Sequence, residues 1–188
     1  MTTLPARRQG HGIKLSFYDF GATPFFACQY DQRFSYCLYV PADYDETAAK
    51  AYDLAVIVHG TGRTATQYRD LFADFAQRHD CIVLAPLFPV GIIEPGDLAN
   101  YKRIQFHDIR YDHVLLAMVD EVIAKYRVNG CRFLLYGYSG GGQFCQRFFM
   151  LHPERLQAVS IGAPGVVTLL HPDYDWWVGV RDVPARFG

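Results

Sequence analysis

Four short apolar runs limit what this chain can fold into: DLAVIVH at 53–59, CIVLA at 81–85, CRFLLY at 131–136 and LQAVSI at 156–161. Each is of strand length, and each is halted by glycine or proline: Gly60, Pro86, Gly137 and Gly162. A continuous apolar run, without strict alternation, suits a strand buried on both faces of a parallel sheet. Between the runs the period changes to that of a helix. Tyr68, Leu71, Phe72 and Phe75 share a face within 64–79; Leu115, Val119 and Ile123 do so within 112–126, and Phe144, Phe148 and Leu151 within 143–151. An earlier strand, FSYCLYV at 34–40, is closed by Pro41. Strand and helix in alternation predict an α/β fold, a mostly parallel sheet with helices on both faces. Ligands bind such sheets beyond the carboxyl ends of the strands, which directs attention to the loops 59–63, 86–110, 137–142 and 162–175. The segment 87–110 has no clear period and is long for a plain connector, which predicts a functional loop.

With 188 residues and neither a repeat nor a linker, the chain reads as one domain, residues 1–188. Hydrophobic residues make up 51% and charged residues 20%, which excludes a disordered or low-complexity chain. Eighteen basic residues against nineteen acidic ones give a net charge of -1, so no nucleic-acid partner is expected. No run approaches the ~20 apolar residues of a membrane helix, so no membrane partner is expected either. Residues 1–12 are polar and do not read as a signal peptide. Cys28, Cys37, Cys81, Cys131 and Cys145 contain no CxxC pair and read as structural thiols, with Cys81 and Cys131 at the start of buried runs. The expected compartment is the cytoplasm.

The strongest chemical signal is Gly137-Tyr138-Ser139-Gly140-Gly141, placed between the third apolar run and a helix. A serine at a sharp strand-to-helix turn holds its hydroxyl above the sheet, and small neighbours make room for the crowded backbone. The free N–H groups of the following helix then face the place where an oxyanion forms. The bland alternative is a glycine-rich turn with an idle serine. A dinucleotide fingerprint fits poorly, because Ser139 stands where the second glycine belongs. The second signal is His59-Gly60-Thr61-Gly62 at the end of the first run, a turn able to aim another backbone N–H at the same point.

On these residues the sequence resembles the α/β-hydrolases, and among them the esterases around poly(3-hydroxyalkanoate) depolymerases and feruloyl-type esterases. The resemblance runs over residues 35–165, through VIVHGTG, LAPLFP, YGYSGGG and HPERLQAVSIGAPG. It implies Ser139 as nucleophile, the N–H groups of Thr61 and Gly140 as the oxyanion hole, and a structural role for His59. The implied reaction is hydrolysis of a small-molecule or oligomeric ester through an acyl-serine, with no cofactor.

The pattern then breaks. In this fold the nucleophile is followed by Asp or Glu and then by His. After Ser139 the histidines are His152 and His171, and no histidine follows Asp173, Asp175 or Asp182. His152 beside Pro153 reads as a surface or capping residue, and His171 as a loop residue on the correct side of the sheet. The chain is therefore expected to be truncated, roughly the first two-thirds of a larger fold, with the acid and base in an absent C-terminal part. Alone it is expected to turn over little, and the sheet to end on an open edge near 156–161 that invites self-association. The alternative is a non-catalytic binding or scaffold domain of the same fold. Tyr138, Trp176 and Trp177 are the candidate pocket residues, the tryptophans being equally readable as an anchor for the tail. His107, Asp108, Arg110, Asp112 and His113 resemble a metal cluster but lack ligand spacing; they read as solvated helix-entry residues, and no metal is expected.

Overall fold

A computed structural model describes residues 15–188; the expectation for residues 1–12 lies outside the described residues. Two-residue strands β1 (Gly21–Ala22) and β2 (Phe26–Ala27) pair antiparallel with β3 (Ser35–Val40). There follow β4 (Asp53–Val58), α1 (Ala65–Leu71), α2 (Ala73–Arg78) and β5 (Cys81–Leu87). A small hairpin of β6 (Gln105–Phe106) and β7 (Ile109–Arg110) leads into α3 (Tyr111–Lys125). The chain continues through β8 (Phe133–Tyr138), α4 (Gly140–Leu151) and β9 (Leu156–Gly162) to α5 (Val183–Phe187). The main sheet runs β1-β3-β5-β4-β8-β9, with β5, β4, β8 and β9 parallel and β3 antiparallel beside β5.

The apolar runs form strands because they are covered on both sides. One face carries the main core, where Val56, Val58, Leu84, Phe133 and Leu135 meet Val119 and Val122 of α3 and Phe144 and Phe148 of α4. On the other face Ala55, Ile57, Cys81 and Val83 pack under Ala76, Phe72 and Phe75. The 64–79 helix is broken at Phe72, which caps α1 and opens α2. The break leaves Leu71 78% exposed and turns Phe72 and Phe75 onto the sheet, against the single-helix expectation. The strand at 81 was expected to stop at Pro86, yet β5 continues to Leu87. Beyond Leu84 it pairs with β3 alone, Pro86 opposite Tyr36, so a missing N–H leaves no partner on β4 unserved. The third run is displaced: β8 starts at Phe133, and Cys131 sits half-buried in the preceding turn instead of opening a buried strand.

The segment 156–161 forms β9 at the end of the sheet, where an open edge was expected. It is not buried as the apolar run implied, since Gln157, Ala158 and Ser160 are exposed. Only the α4 face of β9 is packed, through Leu156, Val159 and Ile161. The opposite face is bare, and a hollow of about 390 Å³ lies there between Phe72, Phe75, Leu134, Tyr136, Ala158 and Ser160. Among the described residues no helix is long and apolar enough to cross a membrane.

Candidate active site

Ser139 occupies the single residue between β8 and α4, with φ 55° and ψ -116°. A non-glycine residue held there costs on the order of 1–3 kcal/mol and needs support from its surroundings. That support is visible: Ser139 N–H donates to Gly162 O at 2.9 Å, and Gln143 N–H donates to Ser139 O at 3.1 Å. The flanking glycines serve close approach. A methyl group at Gly137 would stand 2.6 Å from Cys145 Sγ, and one at Gly141 would stand 2.8 Å from His59 O. The first turn of α4 is thereby pressed onto the ends of β4 and β8, with its unpaired N–H groups opening beside the serine.

The 59–62 turn meets this elbow. A methyl group at Gly60 would stand 3.8 Å from Ser139 Cβ, and one at Gly140 would stand 2.9 Å from Thr61 Oγ1. The structure thus brings Thr61, Ser139 and Gly140 together. The turn is fixed from below by His59, which is fully buried. Its Nδ1 donates to Gly60 O at 2.8 Å and its Nε2 accepts from Phe88 N–H at 3.1 Å, an arrangement that requires the neutral ring. Burial drives its pKa down to about 4, so it stays neutral at physiological pH. Arg63, also at positive φ, ties the turn down by donating to Thr61 O at 2.6 Å and to Asn100 Oδ1 at 3.1 Å.

The segment 87–110 supplies a third wall that the residue pattern did not reveal. It is anchored by Tyr101, Ile104, Phe106 and Ile109, all buried. Tyr101 Oη donates to His59 O at 3.0 Å, and Lys102 Cε lies 2.9 Å from where a methyl group at Gly140 would stand. Its length without periodicity was the only sign in the sequence. Nothing marked Tyr101 or Lys102 individually.

No protein-family profile and no curated protein matches the sequence. Solved structures do match. A poly(3-hydroxybutyrate) depolymerase, LpqC from Bordetella parapertussis, superposes with a TM-score of 0.67 at 24% identity, over 78% of this chain and 52% of its own. Poly(aspartic acid) hydrolase-1 from Sphingomonas sp. KT-1 gives 0.73 at 23% identity, over 86% and 63%. The fluorophosphonate-binding serine hydrolase FphF of Staphylococcus aureus gives 0.63 at 15%, over 83% and 62%. The chain has the α/β-hydrolase fold. It spans between about half and five-eighths of the length of these structures.

An α/β-hydrolase serine needs a histidine base, and among the described residues none is hydrogen-bonded to Ser139. His152 ends α4, and the 12 residues of that helix put it about 18 Å from the serine. There its Nε2 pairs with Asp112 Oδ2 at 2.8 Å. Asp112 corrects the helix-entry reading, because it is fully buried rather than solvated. Burial opposes its ionisation, but hydrogen bonds from His152 and Arg110 outweigh that and hold its carboxyl at about 2. His171 is exposed, and its Nδ1 accepts from Asp173 N–H at 3.2 Å. His107 pairs with Glu94 on the surface. Among the described residues no three His, Cys, Asp or Glu side chains gather as a metal site.

The candidate pocket residues separate. Trp176 is buried and anchors the tail: Nε1 donates to Arg103 O at 2.7 Å and the ring packs edge-on to Phe187. Its 7% exposure and these contacts fit the reading of an anchor for the tail. Trp177 is half-buried between the guanidinium groups of Arg103 and Arg147. Tyr138, next to the serine, is 49% exposed, with its ring against Gly162.

Proposed function

We propose that Ser139 is the nucleophile of a serine hydrolase acting on carboxylic esters. The observation that carries the reading is a strained serine at the strand-to-helix turn, facing Thr61 and Gly140. Ser139 Oγ would attack the acyl carbon while the N–H groups of Thr61 and Gly140 hold the oxyanion. The serine proton would pass to a base and then to the departing alcohol, and water would cleave the acyl-serine. Tyr138 and Trp177 would form the nearby walls, and small or oligomeric esters would be the substrates. The depolymerase and the fluorophosphonate-binding hydrolase among the structural neighbours support this choice of chemistry. We place the protein in the cytoplasm on its cysteine usage alone.

Since among the described residues no histidine is bonded to Ser139, the 188-residue chain is expected to hydrolyse p-nitrophenyl acetate poorly by itself. Imidazole added as an external base should then raise the rate well above that of Ser139→Ala under the same conditions. An oxyanion hole and binding without the triad still give ~1,000- to 10,000-fold over water, so the increment is measurable. A folded chain indistinguishable from Ser139→Ala, with or without imidazole, would refute the enzyme reading. That result would favour the second reading, a binding domain of this fold without a base.

We also propose that the bare face and edge of β9 drive self-association. Sedimentation velocity should show concentration-dependent species that the double substitution Ala158→Lys, Ser160→Lys returns to monomer. A wild-type chain monomeric at every concentration would discount the edge.

A further inference from the structure

Four cations gather around residues 101–103, the stretch that packs beside Gly140. Lys102 lies against Gly140, its Cε 2.9 Å from where a methyl group at that glycine would stand. Arg103 and Arg147 flank Trp177, their guanidinium carbons 5.6 and 5.2 Å from its ring centre. Arg147 is fully buried and donates to Lys102 O and to Thr168 Oγ1. Arg63 lies 4.9 Å from the centre of the Tyr101 ring.

The hydrogen bonds of these partly or fully buried cations end on neutral acceptors. Arg63 donates to the carbonyls of Thr61, Phe88 and Leu98 and to the Asn100 amide oxygen. The guanidinium of Arg147 is met by the carbonyls of Lys102 and Val166 and by the Thr168 hydroxyl. These neutral acceptors fill the donors and leave the charge in place. Elsewhere Arg33, Arg69, Arg110, Arg155, Arg181 and Arg186 each pair with a carboxylate, while Arg127 donates to Glu46 O and the exposed Arg78 to Asp74 O. Among the described residues none of Arg63, Lys102, Arg103 or Arg147 pairs with a carboxylate. Asp97 is near enough to act on Arg63 and Lys102 but forms an ion pair with neither. Burial, followed by the field of Arg63, already pushes the Lys102 pKa down, the signature of an ammonium that gains from an anion.

We infer that the site takes esters carrying a carboxylate, with Lys102 as the residue that recognises it and Arg63, Arg103 and Arg147 as the surrounding field. The inference rests on the ester-hydrolase reading of Ser139. A role for Lys102 as the missing base does not fit, because it makes no hydrogen bond to Ser139. A role confined to the oxyanion would need one charge, whereas the cluster extends from Gly140 to Trp177. A carboxylate in that stretch would complete the ion pairs that the protein leaves open.

The test compares p-nitrophenyl acetate with the monoanionic p-nitrophenyl hemisuccinate, in imidazole and corrected with Ser139→Ala. One charge-assisted contact predicts a kcat/KM ratio of about ten or more in favour of the anion, eroded by salt. The ratio should fall towards one in Lys102→Gln and survive in Lys102→Arg. A ratio near one in the parent chain, or one unchanged in Lys102→Gln, overturns the inference. Titration calorimetry on Ser139→Ala with methyl hemisuccinate and dimethyl succinate makes the same comparison without turnover. Preferred binding of the anion with turnover of neither ester would sink the hydrolase reading and uphold the carboxylate site. Tighter binding of methyl phosphate than of the hemisuccinate would overturn the carboxylate assignment.

Discussion

Gly141→Ala is expected to destabilise the fold by ~3 kcal/mol or more and to abolish any reactivity of Ser139. The added methyl group would overlap Val58 O and stand 2.8 Å from His59 O. Both oxygens belong to the backbone at the end of β4, an interior strand held on one side by β5 and on the other by β8. Overpacking costs about 1–3 kcal/mol where side chains can yield, and here only backbone could yield, so the cost lies at or above the top of that range. For a chain of this size that corresponds to a fall of roughly 10 °C in the thermal midpoint. Thermal melts by circular dichroism check it. Gly62→Ala is the control, since its methyl group would meet nothing closer than Thr64 Cγ2 at 3.9 Å. Equal melting of the two variants would show that α4 is not pressed onto β4 as described.

The same crowding explains why the elbow was legible in the sequence. Strand, Gly137, Ser139, Gly140, Gly141 and helix stand within one short stretch, so the residues that must be small are in view even though the atoms crowding Gly141 belong to Val58 and His59. His59 was legible only through resemblance, because its partners Gly60 O and Phe88 N–H depend on a loop 29 residues away. What the sequence hid is set by neighbours remote in the chain. LQAVSI has the same composition whether a helix covers it or not, so the open edge could be expected from the broken motif order but the bare face of β9 could not. Asp112 looked solvated because Arg110 and His113 surround it in sequence. Its burial follows from His152, which α4 delivers from 40 residues away. Tyr101 and Lys102 carry no local signature at all. They reach the site because buried Ile104 and Phe106 anchor the loop that bears them.

Acid sensitivity is the second large effect expected, and it arises at these two remotely set groups. His59 titrates near 4 in the folded chain and near 6.5 once exposed. Between those values the unfolded chain binds a proton that the folded chain refuses, so stability falls as pH falls through this window. The loss is roughly 3 kcal/mol, complete below about pH 4 and absent above about pH 7. Asp112 extends the decline. Its carboxyl ionises near 2 when folded and near 3.8 when unfolded, so below pH 4 it removes roughly 2 kcal/mol more as it becomes protonated. Urea unfolding at a series of pH values should therefore give a plateau above pH 7 and a steady fall towards pH 4. His59→Gln should be less stable throughout, since glutamine cannot reproduce both ring contacts, yet flatter between pH 7 and 4 because its side chain does not titrate. A parent chain equally stable at pH 7 and pH 4.5 would mean that His59 is charged or solvated in the folded state. The 59–62 turn would then lack the neutral ring that holds Thr61 in place beside Ser139.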